Sequence, residues 1–255
     1  MMTRGARVER AGLIGGILLA ASLALVPGAR AQATGNGFLF RRPNGSLRVW
    51  AGYDRALANS PIFSFITDTF TLTKSSFGAL AVGGDIAFRV APRIEVMVSG
   101  GWAGSQSASE YRHWEDNNNQ PIRQTTSLER VPLTVSLKWY LDSPGRSIGH
   151  FAWVPARVTP FVGVGGGMMW YRFHWYGDFI DFADSSVVSD DFKSDYWTGT
   201  VHAFAGLDVA LGANYILTGR AQYTWAKSHL GSDFSGPNSV DLSGLSMTVG
   251  VGYRF

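Results

Sequence analysis

Ten charged residues recur at alternating positions of otherwise apolar segments, and they are the first candidates for chemistry in this sequence. Six basic and four acidic side chains gathered in one low-dielectric interior must pair, because an unpaired buried charge is very costly. We therefore predict a structural ion-pair network in which Arg130, Arg220 and Arg254 contact acidic partners on other strands. The set is Arg48, Asp54, Asp85, Arg89, Glu95, Lys138, Asp208, Arg130, Arg220 and Arg254.

An acidic segment that is also rich in aromatic residues covers about 174–195. Clustered carboxylates are ligands for Ca²⁺, but neither the spacing of an EF-hand nor a Gly-Gly-x-Gly repeat is present. The segment is interpreted as a solvated outer loop, and its interleaved aromatic rings offer a contact surface as the alternative. Its acidic residues are Asp178, Asp181, Asp184, Asp190, Asp191 and Asp195.

No cofactor and no metal ion are predicted. The chain has no cysteine, so thiolate ligands and thiol nucleophiles are excluded. The sequence "GVGGG" at 163–167 is not followed by the Gly-Lys-Ser/Thr of a phosphate loop, and its glycines favour a bend or a close approach of inner side chains. Four histidines show no metal-ligand spacing, and the last is expected to be a hydrogen-bonded filler: His113, His150, His174 and His202.

The elements that must position these residues are strands, because apolar residues recur with a period of two. The clearest example is "LERVPLTVSLKWYL", where Leu133, Val135 and Leu137 alternate with Thr134 and Ser136. Eight such segments are predicted, at about 45–57, 74–90, 93–104, 128–141, 158–173, 196–211, 214–227 and 241–255.

The connections between these strands alternate in length. Those after the first, third, fifth and seventh strands are long and polar, those after the second and sixth have about three residues, and the fourth is unusually long. Strict alternation fits a soluble barrel with an apolar interior or a membrane barrel with an apolar exterior. The charged face cannot touch hydrocarbon, where each charge costs roughly 2–4 kcal/mol at mid-depth.

Aromatic residues favour the membrane barrel, because they cluster near the strand ends and flank an aliphatic band, as in the two girdles of a bilayer-spanning barrel. The prediction places Tyr53, Trp139, Tyr215, Tyr253 and Phe255 in one girdle and Trp102, Trp170, Tyr223 and Trp225 in the other.

The first 31 residues have the pattern of a secretory signal peptide, with a basic start, an apolar core and the small-residue site Ala29-x-Ala31. Residues 32–44 are predicted to be an extended lead-in and 45–255 the barrel domain. Without the leader's four arginines and one glutamate, the basic and acidic residues fall from 22 and 19 to 18 each. A nucleic-acid partner therefore loses its electrostatic support.

The terminal "VGVGYRF" resembles the last strand that the outer-membrane assembly machinery recognises, and the middle of the chain, "VPLTVSLKWYL" followed by "VTPFVGVGGG", is similar to OmpA/OmpX-like, opacity-porin-like barrels. The resemblance implies an eight-stranded antiparallel up-and-down transmembrane β-barrel in the outer membrane of a Gram-negative bacterium, with both termini in the periplasm. It also implies contact with outer-membrane lipid and lipopolysaccharide, and an assembly signal at Tyr253 and Phe255. The long fourth connection departs from the family pattern.

Three functions remain open at this point. The first is a non-catalytic structural or surface-interaction protein whose extracellular ligand is unknown, and the second is a small-solute channel. The third is a hydrolase, because His229 and Ser232 loosely resemble the His-x-Ser-Asn stretch of lipid A deacylases. The spacing differs by one residue, Asp233 replaces the asparagine, and no later glutamate orients the histidine, so no catalytic residue is predicted.

Overall fold

The structure is a computed structural model that describes residues 37–116, 119–149, 151–181, 186–231, 234 and 239–255. The predicted signal peptide lies outside these residues, as does the beginning of the lead-in. No helix within the described ranges is long and apolar enough to cross a membrane.

Strands dominate this part of the chain, and a nine-residue helix, α1 (Pro61–Thr69), followed by a 3₁₀ turn at Lys74–Phe77, interrupts them. The strands are β1 (Gly45–Ala56), β2 (Ala79–Ala91), β3 (Ile94–Glu115), β4 (Pro121–Tyr140), β5 (Gly145–Ile148), β6 (Ala152–Pro155), β7 (Val158–Asp181), β8 (Ser186–Ala210), β9 (Tyr215–His229), β10 (Ser239–Asp241) and β11 (Gly244–Arg254).

Eight of these strands form a closed antiparallel ring in the order β1, β2, β3, β4, β7, β8, β9 and β11. The ring closes because β11 pairs with β1 over its whole length, from Ser46 opposite Arg254 to Ala56 opposite Gly244. The predicted fold class, an eight-stranded antiparallel up-and-down transmembrane β-barrel, is confirmed. Closure leaves every ring strand paired on both sides, so the barrel has no free edge.

The outer face of the ring is apolar. Val49, Leu133 and Val249 each expose more than half of their surface, whereas Arg48 and Lys138 on the inner face are buried. This arrangement is the inverse of a soluble barrel, which keeps its apolar side chains inside. The soluble alternative is therefore excluded.

Strands β3, β4, β7 and β8 continue well past the apolar band, and their pattern inverts where they leave it. On β7, Val164 faces outward before Trp170, but beyond it Tyr171 and Phe173 are buried inside and Arg172 faces outward. Pairing with β4 and β8 continues without a register break across this point. The prediction of loops at 105–127 and 174–195 was wrong, because the described residues of both segments are mostly paired strands, with Tyr111, Ile122 and Trp175 buried on the inner side.

The first connection also differs from its prediction as a polar loop. It carries α1, which begins after Ser60 with Pro61 in its first turn, a position where proline's missing N–H is no loss. Ile62, Phe63 and Ile66 are buried on one side of this helix. They belong to an apolar cluster that fills the space between the extended hairpins.

We call the barrel end that carries connections 92–93, 141–157 and 211–214 the short-connection end, and the opposite end the long-connection end. At the short-connection end, β5 and β6 form a hairpin, and Leu39 of the lead-in forms a bridge with Trp153 of that hairpin. Two backbone hydrogen bonds of 2.9 and 2.8 Å join the two residues.

Two girdles of aromatic residues flank the aliphatic band. The prediction placed Tyr53 in the wrong girdle. Tyr53 is opposite Leu80 and Met247, near the long-connection end, because β1 runs toward that end from Gly45. Tyr215 and Tyr253 are cross-strand neighbours at the short-connection end.

Candidate functional site

All ten charged residues of the predicted ion-pair network lie on the inner face of the barrel. Eight are buried, and Asp54 and Arg89 are half-buried. Cross-strand pairing brings the first two together, because Arg48 on β1 lies directly opposite Asp85 on β2. Arg48 Nε and Nη2 donate to the two carboxylate oxygens of Asp85 at 3.1 and 2.7 Å, a bidentate pair.

A second group of charges lies nearer the short-connection end. Lys138 Nζ is 2.6 Å from Asp208 Oδ2 and 4.0 Å from Glu95 Oε2. The Tyr140 hydroxyl is 2.9 Å from the same Asp208 oxygen and 3.1 Å from Glu95 Oε2, so it links the two carboxylates. Arg89 pairs with Glu95 at 3.5 Å from the adjacent strand.

The two groups join into one chain of alternating sign. Arg48 Nη1 lies 3.8 Å from Asp208, and Arg220 Nη1 lies 3.9 Å from Asp85. We define the charge ladder as Arg89, Glu95, Lys138, Asp208, Arg48, Asp85 and Arg220, in that spatial order. It crosses the lumen and draws on six of the eight ring strands.

Three members of the predicted network, Arg130, Asp54 and Arg254, lie outside the ladder. Arg130 on β4 pairs with Asp54 on β1 at 3.2 Å, nearer the long-connection end. Arg254 differs from its prediction, since none of the described carboxylates lies within 4.0 Å of it. Its guanidinium instead lies 5.7 Å from the centre of the Trp153 ring of the β5–β6 hairpin.

Strand β7 contributes no charged side chain to the ladder, and its glycines leave space for the inner side chains of the other strands. A Cβ atom on Gly163 would overlap the Phe204 ring, and one on Gly165 would overlap the Ser136 hydroxyl and lie 2.8 Å from His202 Nε2. Ser136 and His202 therefore approach across β7 and form a 2.8 Å hydrogen bond. The lumen is narrow enough that these side chains need glycine opposite them.

Apolar groups close the lumen at both ends. At the short-connection end, Trp153 is only 2% exposed. At the long-connection end, Phe63 of α1 makes edge contacts with Phe77 at 4.7 Å and Phe173 at 5.9 Å between ring centres. The ladder thus lies between two apolar seals.

One polar cavity of about 50 Å³ lies between the ladder and the Arg130–Asp54 pair. Polar side chains from six ring strands line it, and several of their buried atoms have no hydrogen-bond partner among the described residues: Trp50 Nε1, Asp54 Oδ1, Ser99 Oγ, His202 Nδ1 and Arg220 Nη1. No pattern in the sequence indicates this cavity, because its position depends on the side-chain volumes around the whole ring.

Of the hydrolase candidates, only His229 lies in the described part of the chain. His229 ends β9, where its carbonyl oxygen accepts a hydrogen bond from the Tyr171 hydroxyl at 2.5 Å. Ser232 and Asp233 lie outside the described residues, as do His150 and Asp184. No group of three His, Asp or Glu side chains that could hold a metal ion occurs within the described ranges.

The outer face of the extended hairpins is polar and carries exposed ion pairs. Arg123 Nε lies 3.0 Å from Glu110 Oε1 on the neighbouring strand, and His174 Nε2 lies 2.7 Å from Asp191 Oδ1. A hydrogen bond from Lys193, assisted by His174, lowers the pKa of Asp191 below its ordinary value. This exterior differs sharply from the aliphatic band below Trp170.

Solved structures with a similar fold include outer membrane protein OprG from Pseudomonas aeruginosa, 16% identical, with 85% of this chain and 99% of that chain covered and a TM-score of 0.46. Neisserial surface protein A is 12% identical, with 83% and 96% covered and a TM-score of 0.45. Outer membrane protease OmpT from Escherichia coli is 8% identical, with 86% and 98% covered and a TM-score of 0.35. The sequence matches no protein-family model and no curated protein.

Identities this low concern the fold alone. The class of protein follows from the chain's own ring of paired strands and from its apolar exterior and charged interior. This is the construction of an eight-stranded β-barrel of the outer-membrane type.

Proposed function

We propose that the protein is a non-catalytic integral β-barrel of the outer membrane of a Gram-negative bacterium, with a sealed interior and a surface-interaction role. The observation that carries the proposal is the filled lumen, in which the charge ladder crosses the barrel between the Trp153 seal and the α1 cluster. Eight-stranded barrels have interiors just wide enough for side chains to fill.

The membrane setting is supported by the aliphatic band and its two aromatic girdles, which match a bilayer with two interfaces. In outer-membrane barrels, short turns face the periplasm and long connections face outward. By that rule the termini lie in the periplasm and the extended hairpins project from the cell. Outer-membrane lipid and lipopolysaccharide then surround the band, and the assembly machinery inserts the chain.

The surface-interaction role is supported by the β3–β4 and β7–β8 hairpins, which are paired strands on a packed apolar core and therefore hold their outer side chains in fixed positions. Exposed residues of both signs, such as Arg123, Arg172 and Asp190, offer polar contacts to a ligand whose identity stays open. Preorganised surfaces bind with a smaller loss of conformational entropy than flexible loops.

The surface role is tested by applying the full-length protein, refolded into lipid nanodiscs, to glycan and lipopolysaccharide arrays. We expect saturable binding that is lost when residues 178–189 at the tip of the β7–β8 hairpin are replaced by a short turn. Binding that persists unchanged in the shortened variant, or no binding by either protein, contradicts this role.

The sealed interior and the absence of catalysis have separate tests. Liposomes that contain the refolded protein should not swell in isotonic sugar solutions, since no solute path crosses the ladder. Lipid A from a deletion strain should have the same mass spectrum as lipid A from the parent. A changed lipid A spectrum that is restored by complementation would establish the hydrolase instead.

A further inference from the structure

The charge ladder ends on a cation that has no carboxylate of its own. Both oxygens of Asp85 accept hydrogen bonds from Arg48, so Asp85 is already bidentately occupied. Arg220 Nη1 lies 3.9 Å from Asp85, which is beyond hydrogen-bond distance. Across the ten inner residues, six positive charges face four negative ones, which leaves two positive charges in excess.

Arg220 is one of the residues that line the polar cavity. It is only 9% exposed, and its Nη1 has no hydrogen-bond partner in the described part of the chain. Its guanidinium stacks 5.5 Å from the centre of the Trp50 ring and 5.8 Å from that of Phe204, and these rings hold it in place without satisfying its N–H groups.

The other buried cavity atoms without a hydrogen-bond partner among the described residues are one obligate donor, two groups that can donate or accept, and the carboxylate oxygen Asp54 Oδ1. The Trp50 indole N–H can only donate, and the Ser99 hydroxyl donates or accepts. His202 also lines the cavity; its Nε2 bonds to Ser136, and its buried Nδ1 has no hydrogen-bond partner among the described residues. The one carboxylate that lines the cavity, Asp54, is paired with Arg130 at 3.2 Å.

The volume suits a small ion together with water. One water molecule needs at least about 10–15 Å³ of such space, so a cavity of about 50 Å³ has room for more than one particle of that size. A buried guanidinium that lies beyond hydrogen-bond distance of its carboxylate, beside an indole N–H and a hydroxyl, provides the charge and the donors that a bare anion requires.

We propose that this cavity binds a small monovalent inorganic anion of the halide type. Arg220 supplies the charge, and Trp50 and Ser99 supply further donors. The anion is the next member of the alternating ladder, after the Arg220 cation, and it offsets part of the excess positive charge of the lumen. The site is independent of whatever molecule the outer hairpins contact.

The first test uses the full-length chain, refolded in detergent micelles with bromide, chloride or gluconate at equal ionic strength, because the sealed lumen admits ions most readily during folding. We expect the unfolding midpoint in urea to rise saturably with bromide and chloride but not with gluconate. Crystals grown with bromide should show an anomalous peak within hydrogen-bond distance of Arg220 Nη1. The proposal is overturned if the unfolding midpoint does not depend on which anion is present, or if the cavity contains only water.

The second test compares two tryptophan variants. Trp50→Phe removes the indole N–H but keeps an aromatic ring against Arg220, so the apparent halide affinity should fall about tenfold, the factor of one hydrogen bond to a charged group. Trp102→Phe is the matched control, because Trp102 is exposed on the outer face. Equal halide affinities in the Trp50→Phe variant and the wild type contradict the assignment of that donor.

Discussion

Asp85 lies between the guanidinium groups of Arg48 and Arg220 in the lumen. Arg48 binds it bidentately from the opposite strand, and Arg220 approaches at 3.9 Å from β9. Removing one partner from a buried pair leaves the other charge uncompensated, which is far more destabilising than the pair itself is stabilising. This carboxylate is therefore the residue on which the ladder most depends.

Replacing Asp85 by asparagine should lower the free energy of unfolding by about 3–5 kcal/mol, the usual effect of breaking a buried ion pair. Asp68→Asn is the control, since Asp68 is exposed on α1 and its loss should change stability by less than about 0.5 kcal/mol. Urea unfolding of the refolded variants, followed by circular dichroism, measures both values. Equal unfolding midpoints for the two variants would show that the ladder does not contribute to the stability of the barrel.

At the residue scale, period-two alternation was sufficient to assign all ten charges to one face of the strands, because successive side chains of a strand point to opposite sides. Their partners depend on register, and the pairing of Arg48 with Asp85 follows from a cross-strand alignment that alternation does not specify. The contact of Arg254 with Trp153 was missed because alternation along the strands does not specify which inner side chains the β5–β6 hairpin contacts.

At the scale of elements, α1 and the four long strands form one apolar core outside the membrane band. Phe63 is fully buried in it and contacts Phe77 and Phe173, whereas Phe65, on the same helix, is 45% exposed. The helix therefore seals the long-connection end by packing rather than by hydrogen bonds between its side chains and the strands.

Phe63→Ala should destabilise the long-connection end by about 3–5 kcal/mol, as large-to-small changes of buried aromatic residues do. Phe65→Ala removes the same atoms from an exposed position and should cost less than about 1 kcal/mol. Limited proteolysis within residues 57–78 reports this end directly, and we expect faster cleavage in the first variant alone. Similar cleavage rates for the two variants would show that α1 is not a seal.

The extended hairpins were predicted as loops because their composition is polar and charged. Their alternation was nevertheless present in the sequence, with Tyr111, Ile122 and Leu128 on the inner side. The signal that was missed lies at Trp102 and Trp170. Before these residues the apolar side chains face outward, and beyond them the apolar side chains face inward, because the surroundings change from lipid to water. Physical chemistry requires that inversion wherever a barrel wall leaves the bilayer and continues as a packed hairpin.

At the scale of the whole molecule, β11 closes the ring against β1, and Phe255 lies at the end of this seam. The Asn44 N–H donates to the Phe255 carbonyl oxygen at 2.7 Å, and the two rings of Phe88 and Phe255 are 6.3 Å apart. Few other contacts of the barrel depend on this residue, so its loss should leave the folded state largely intact.

Deleting Phe255 should reduce the amount of protein inserted in the outer membrane of cells several-fold, while refolding in detergent proceeds as for the wild type. Phe40→Ala is the control, because Phe40 is 79% exposed and lies outside the proposed assembly signal. Quantitative immunoblots of outer-membrane fractions measure insertion. Equal insertion of the deletion variant and the wild type would refute the assembly role of Tyr253 and Phe255.

The sealed lumen, with its charge ladder between two apolar ends, is the central claim, and planar-bilayer recording of the refolded full-length protein tests it most directly. Insertion is verified first by recovering the protein from floated vesicles, so that a silent membrane is known to contain it. The account predicts no steady conductance at any applied voltage. Reproducible single-channel openings of a defined size would contradict it.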